Sequence, residues 1–152
     1  MLEFLEEKIF EKEDLISILE KISQLEQLVF KSRALLSEKS KKLEDENLYQ
    51  FFLKLEERGE INLDQKKQFD FLEKLKDWLK KLPILKLEIA FLPSEKTIEK
   101  ISQWLKKEVG KKIILDVYFN PKIVGGAILE YEGKFANFSL AKEIDKIFYE
   151  KF

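Results

Sequence analysis

The chain has 152 residues, 45% hydrophobic and 38% charged, with 13 Phe, 4 Tyr and 2 Trp; that is room for one domain or two small ones, and too much apolar bulk for disorder. It has no Cys and no His, which excludes disulfides, thiolate nucleophiles, Cys/His zinc sites and the commonest general base. The 28 basic and 29 acidic side chains nearly cancel, and only Arg33 and Arg58 are arginines, so the strong positive field of a nucleic-acid binder is missing.

The start, Met1-Leu2-Glu3-Phe4-Leu5-Glu6-Glu7, is acidic where a signal peptide is basic. No apolar run nears the ~20 residues that span a bilayer. The expectation is a soluble, cytoplasmic protein without direct membrane insertion.

Residues 1–82 read as helix throughout, with Gly59 their one Gly and no Pro. Leu15, Ile18, Ile22, Leu25, Val29 and Leu36 follow a heptad-like spacing, with Ser32 in the gap. Leu19 and Leu28 widen that seam toward the stripe of a bundle helix. Asp14 is the expected N-cap. The polar stretch Ser37–Glu46 has only Leu43 to bury. Asn47 is placed to cap a helix that buries Leu48, Phe51, Phe52 and Leu55 and stops at Arg58-Gly59. Asn62 and Gln65 have the spacing of a capping box. The helix after them buries Leu72, Leu75, Trp78 or Leu79, and Leu82.

Pro83 marks a boundary, because proline cannot continue a helix. Leu85, Leu87, Ile89 and Phe91 alternate with Lys86, Glu88 and Ala90 as a half-buried strand. Pro93-Ser94 opens a helix carrying Ile98, Ile101, Leu105 and Val109, with Gly110 at its end. Ile113, Leu115, Val117 and Phe119 alternate as a second strand, which Asn120-Pro121 breaks. Ile123–Tyr131 reads as a third strand, Glu132-Gly133 as a turn, and Phe135–Asn137 as the return. Ser139 is placed to cap a last helix with Leu140, Ile144, Ile147 and Phe148. A helix between the first two strands favours a parallel crossover. The expected fold class is α+β: an N-terminal α-helical bundle (1–82) followed by a small β-α-β-β-α mixed-sheet domain (83–152).

Motifs with chemistry are sparse. Carboxylates such as Glu56, Glu57, Glu60, Asp116 and Asp145 do not converge as a tuned acid–base pair and read as a solvated face. Gly125-Gly126 lacks the further glycines and helix start of a phosphate loop and reads as a bulge or a close backbone approach. The lysine runs Lys39–Lys42, Lys66-Lys67, Lys80-Lys81, Lys106-Lys107 and Lys111-Lys112 each have Glu or Asp nearby and read as surface solubility and helix pairs. Tyr118, Phe119 and Tyr131 on strands are what a base-stacking surface uses, without the basic face it needs. The stripe Leu15, Ile18, Ile22, Leu25 and Val29 fits either an intramolecular core or a groove that receives a partner helix.

The segment Ile113–Leu129, with Asn120-Pro121-Lys122-Ile123-Val124-Gly125-Gly126, then Glu132-Gly133-Lys134 and Asn137-Phe138-Ser139, resembles the C-terminal domain of the delta subunit of F-type ATP synthases. That subunit is the bacterial relative of the mitochondrial oligomycin-sensitivity-conferring protein. Leu85–Phe91 and Pro93–Gly110 are similar to the family's preceding strand and helix. The helix ending at Arg58-Gly59 is similar to a late segment of the family's helical bundle. Asn replaces the family's usual Asp at 120 and 137, and the region before Pro83 is shorter than the family's six-helix bundle.

The resemblance implies a non-catalytic peripheral-stalk subunit without cofactor or metal, tying the catalytic head to the membrane-anchored stalk so that the head does not turn with the rotor. It implies a place on the inner face of the cell membrane through the complex. The expected partners are the N-terminal helices of alpha subunits, received by the helical region, and the C-terminal helices of stalk b subunits, packed on the sheet domain. Leu15, Ile18, Ile22, Leu25 and Val29 become candidate groove residues. Asn120, Pro121, Gly125, Gly126, Asn137 and Ser139 become architectural residues. The rival readings are a free-standing helical adaptor that binds a partner helix, an RNA-binding α+β protein and, third, an enzyme.

Overall fold

The computed structural model describes residues 2–123 and 126–137. By contact the chain divides into two compact units, Met1–Ile9 with Glu13–Leu82, and Phe10–Lys12 with Pro83–Phe152.

The first unit is helical. Its elements are α1 (Leu2–Glu6), α2 (Lys12–Val29), α3 (Leu36–Ser40) running into a 3-10 turn at Lys41–Leu43, α4 (Glu46–Glu57) and α5 (Gln65–Lys80). Leu15, Ile18, Ile22, Leu25 and Val29 of α2 are buried, as are Leu48, Phe51, Phe52 and Leu55 of α4 and Leu72, Leu75 and Leu79 of α5. Leu79 rather than Trp78 is the buried member of that pair. These inner faces follow the helical period, and their removal from water is the main term holding the unit together.

The helix starts differ from the expected ones. Asp14 lies inside the first turn of α2, where its charge meets the positive end of the helix dipole. Asp45, not Asn47, caps α4: its backbone is extended and its carboxylate accepts from the Leu48 N–H at 3.0 Å. Asp64, not Asn62, caps α5 through the Lys67 N–H, while Asn62 accepts from the Asp64 N–H in an Asx turn. The Gln65 amide donates to the Ser32 carbonyl instead of closing a capping box. At α4 and α5 an aspartate two residues from the expected cap takes its place.

The heptad-like seam does not run on to Leu36. Helix α2 ends at Val29, Ser32 is exposed, and Leu36 begins α3. At that end the Lys39 ammonium donates to the Val29 carbonyl at 2.9 Å, placing a cation where the helix dipole is negative. The stop of α4 is as expected. Gly59 has φ +73, the Gly59 N–H donates to the Glu56 carbonyl and the Glu60 N–H to the Leu55 carbonyl, the paired bonds of a Schellman motif.

Among its described residues the second unit is a four-stranded sheet with one helix. Strands β1 (Ile84–Ile89), β2 (Ile114–Phe119), β3 (Ala127–Tyr131) and β4 (Lys134–Asn137) lie in the order β2-β1-β3-β4. β1 and β2 are parallel, joined through α6 (Glu95–Val109); β3 pairs antiparallel with β1 and β4 with β3. Leu85, Leu87, Ile89, Ile113 and Leu115 form one core cluster with Ile98 and Leu105 of α6. The Ser94 hydroxyl caps α6 by accepting from the Thr97 N–H, and Gly110 at φ +82 ends it.

The apolar alternation fails at the ends of these elements. Phe91 lies beyond β1 and is exposed, Phe119 at the end of β2 is exposed, and so is Val109 in the last turn of α6. β3 starts at Ala127 rather than Ile123, because Asn120-Pro121-Lys122-Ile123 closes a turn: the Ile123 N–H donates to the Asn120 carbonyl, and the Lys122 N–H to its side chain. Pro121 sits at the second position of that turn, where its fixed φ suits it. Glu132 and Gly133, at φ +49 and +76, make the two-residue hairpin between β3 and β4. The expected last helix, Ser139 and Gly125 lie outside the described residues.

Candidate interaction surfaces

The polar groups of the helical unit are joined into structural networks. Lys39 is 3% exposed, and its ammonium donates to the Val29 carbonyl and to Gln68 Oε1, both at 2.9 Å. The buried Gln68 in turn donates to the carbonyls of Ala34 and Asn62. Burial pushes the Lys39 ammonium below the ordinary lysine range. Ser37 donates from backbone and side chain to the Glu56 carboxylate. The lysine runs are therefore not all solvated: Lys39 and Lys112 are buried, the latter with its ammonium 3.1 Å from the Ser102 hydroxyl.

Two ion clusters tie helices together. Lys76 lies 2.6 Å from Glu26 and 3.1 Å from Glu73. Burial raises the Glu26 carboxyl against the pull of Lys76, while the hydrogen bond that Lys76 donates to Glu26 raises the Lys76 ammonium. Lys21 lies 2.8 Å from Asp45. Burial pushes the Asp45 carboxyl up, but the hydrogen bonds from Lys21 and Leu48 outweigh it, and the group rests below the usual range. Each carboxylate has a cation on it, which suits a structural pair more than a poised acid or base. Among the described residues no group of three His, Cys, Asp or Glu could hold a metal ion, and no helix is long and apolar enough to cross a membrane.

Leu15, Ile18, Ile22, Leu25 and Val29 are enclosed by their own unit, with Ile22 at 0% exposure. The outer shoulder of α2 is different. Ile16 is 46% exposed and lines a shallow depression with Leu19, Glu20, Ser23 and Gln24. Phe30, just past α2, is exposed and tilts onto Phe69 at 5.7 Å between ring centres. On the sheet unit Phe91, Leu92 and Phe119 are exposed near the C-terminal ends of β1 and β2. Sequence period alone did not mark these positions as surface: Phe91 and Phe119 continue the alternation of their strands, and Leu19 continues the widened stripe of α2.

Of the architectural residues, Asn120 is the best tied: its N–H donates to the Ile89 carbonyl and its side-chain amide to Glu88. Gly126 has φ +80, a conformation that L side chains rarely adopt. Asn137 pairs with Ile128 at the end of β4. Tyr118, Phe119 and Tyr131 do not share one surface: Tyr131 packs on the core cluster, and Tyr118 and its neighbour Phe119 alternate across β2. The Tyr118 hydroxyl donates to the Asp116 carboxylate, and the Lys86 ammonium stands 4.9 Å from the centre of its ring, so both its hydroxyl and its ring already have partners within the sheet.

The sequence pattern of the family described as ATP synthase delta (OSCP) subunit matches residues 1–150. The chain belongs to that family. A chain of the structure titled "CryoEM structure of Polytomella F-ATP synthase, Primary rotary state 3, monomer-masked refinement" is similar at 18% identity and a TM-score of 0.40, over 45% of this chain and 89% of that one. No curated protein matches the sequence. The family match spans both units, so the delta-family assignment holds for the helical unit as well as for the sheet. A delta-family chain is a non-catalytic subunit of the F-type ATP synthase peripheral stalk, and its partners are other subunits of that synthase.

Proposed function

We propose that this delta-family chain links the catalytic head to the membrane-anchored stalk, so that the head does not rotate with the rotor during ATP synthesis driven by proton-motive force. The observation that carries the proposal is the family match over residues 1–150. In this reading residues 1–82 and 83–152 act as two domains. The helical one receives N-terminal helices of alpha subunits, and the sheet domain takes C-terminal helices of b subunits. The chain then sits in the cytoplasm, peripheral to the inner face of the cell membrane.

The α2 helix is the proposed groove wall. Leu15, Ile18, Ile22, Leu25 and Val29 hold it in place from beneath. Ile16 and Leu19 beside them give a docking helix its apolar contact, with Glu20 and Gln24 at the rim. Exposed Phe91, Leu92 and Phe119 are the corresponding apolar residues of the sheet domain.

The test is an affinity purification from host membranes in mild detergent, with co-purifying chains identified by mass spectrometry. Alpha, beta and b chains in stoichiometric amount are expected. Recovery of none of them would overturn the stalk reading and bring forward a free-standing adaptor. A point test uses Ile16→Asp. We expect an unchanged melting curve with loss of alpha-subunit binding. Intact binding would remove this face of α2 from the interface. Ile22→Asp cannot serve, because a charge at a fully buried position unfolds the unit.

A further inference from the structure

Without help, β2 would be an edge strand, since it ends the sheet order β2-β1-β3-β4. Ile114 and Leu115 of the strand, with Ile113 just before it, are nevertheless the most deeply buried of the described residues of the unit, all at 1% exposure or less. An edge strand of this apolar content with open backbone groups is a template for pairing with another strand. Here the edge is occupied. The Leu115 N–H donates to the Phe10 carbonyl at 2.8 Å, and Glu11 forms a parallel bridge with Leu115.

The side chains of the same short segment are engaged as well. Phe10 packs on the core cluster of the sheet, and the Lys112 ammonium stands 4.6 Å from the centre of its ring. Lys12 lies 3.8 Å from the Asp116 carboxylate. Backbone pairing, apolar packing, a cation–π contact and an ion pair thus converge on three residues whose chain neighbours on both sides, Ile9 and Glu13, belong to the helical unit.

We infer that the outer edge of β2 is a strand-accepting surface and that its partner is the chain's own segment Phe10–Lys12, in which Glu11 pairs with the sheet as a short fifth, parallel strand before Lys12 opens α2. The sheet unit is then not complete within residues 83–152. The twelfth residue of the chain is as much a part of it as the hundred-and-sixteenth.

Hydrogen exchange on the full chain tests this, comparing the unaltered protein with Phe10→Ala and Lys12→Glu. The Leu115 amide is expected to exchange at least about ten-fold faster in both variants, while amides within α4 and α5 keep their rates. Should Phe10→Ala loosen the whole sheet, the amides of Leu87 and Leu129 will accelerate along with Leu115, still without change in α4 and α5, and the strand role stands. Unchanged exchange at Leu115 in both variants overturns it. So does acceleration confined to α2, α4 and α5.

Discussion

Lys39 shows how a single side chain can set the course of the backbone around it. Hydropathy assigns a lysine in a polar run to water. The fold instead buries its ammonium between two neutral acceptors, the last carbonyl of α2 and the amide oxygen of Gln68. Lys39→Met removes the cation and leaves both acceptors without it. The expected loss is about 1–3 kcal/mol of unfolding free energy, the range for a hydrogen-bonded charged group, read from urea denaturation at neutral pH.

Asp45 carries the acid sensitivity. Its carboxyl is depressed in the folded chain, so its stabilisation is fully present above the ordinary value of 3.8 and is lost as pH falls through the folded value. Urea midpoints from pH 6 downward should therefore drop more steeply for the unaltered chain than for Asp45→Asn, which keeps an acceptor for the cap but does not titrate. Parallel acid limbs would show that Asp45 contributes nothing. None of this was legible in the sequence. Asp45 and Asn47 are both good capping residues two positions apart, and only the packing of Leu48 and Phe51 selects which of them lies at the helix start.

At the scale of elements, sequence and structure agree wherever a long period is available. The buried positions of α2, α4, α5 and β1 fall on the expected faces, and the parallel β1–β2 pairing follows from the helix between them. Agreement fails where elements end. Ser32 continues a heptad that the chain does not use, Phe91 continues an alternation after its strand has stopped, and Phe119 ends its strand exposed. A period reports which way a residue points within an element, but not where tertiary contacts cut that element off. Turns fare better, because their residues carry their own conformational demand. Gly133 at φ +76 has nothing within 4 Å of where a Cβ would stand, so Gly133→Ala isolates backbone strain from crowding. It should cost about 1–2 kcal/mol. Gly133→Asn should cost less, since asparagine tolerates that region. Thermal melting of the two variants compares them, and equal melting temperatures for the alanine variant and the unaltered chain would contradict the strain.

At the scale of the molecule, membership in the delta family rests on residues spread over both units, although the resemblance is readable by eye mainly in the sheet. The Asn120–Ile123 turn and the Glu132-Gly133 hairpin are local and survive as recognisable motifs. The helical unit works through stripes that any bundle could carry, so its identity is diluted along the sequence. The three-residue segment Phe10–Lys12 left no readable signal at all, since three residues define no period.

That segment also bears on synthesis. Glu11 pairs with Leu115, about a hundred positions later. A ribosome releases the chain from its N-terminus, so the fifth strand emerges long before the sheet it joins. The helical unit can gather its contacts from neighbours already present, whereas the sheet must wait for Glu11 and β2 to meet across that separation. Non-local closure of this kind slows folding. Until it occurs, the apolar edge of β2 is the surface most open to stray pairing in a newly made chain.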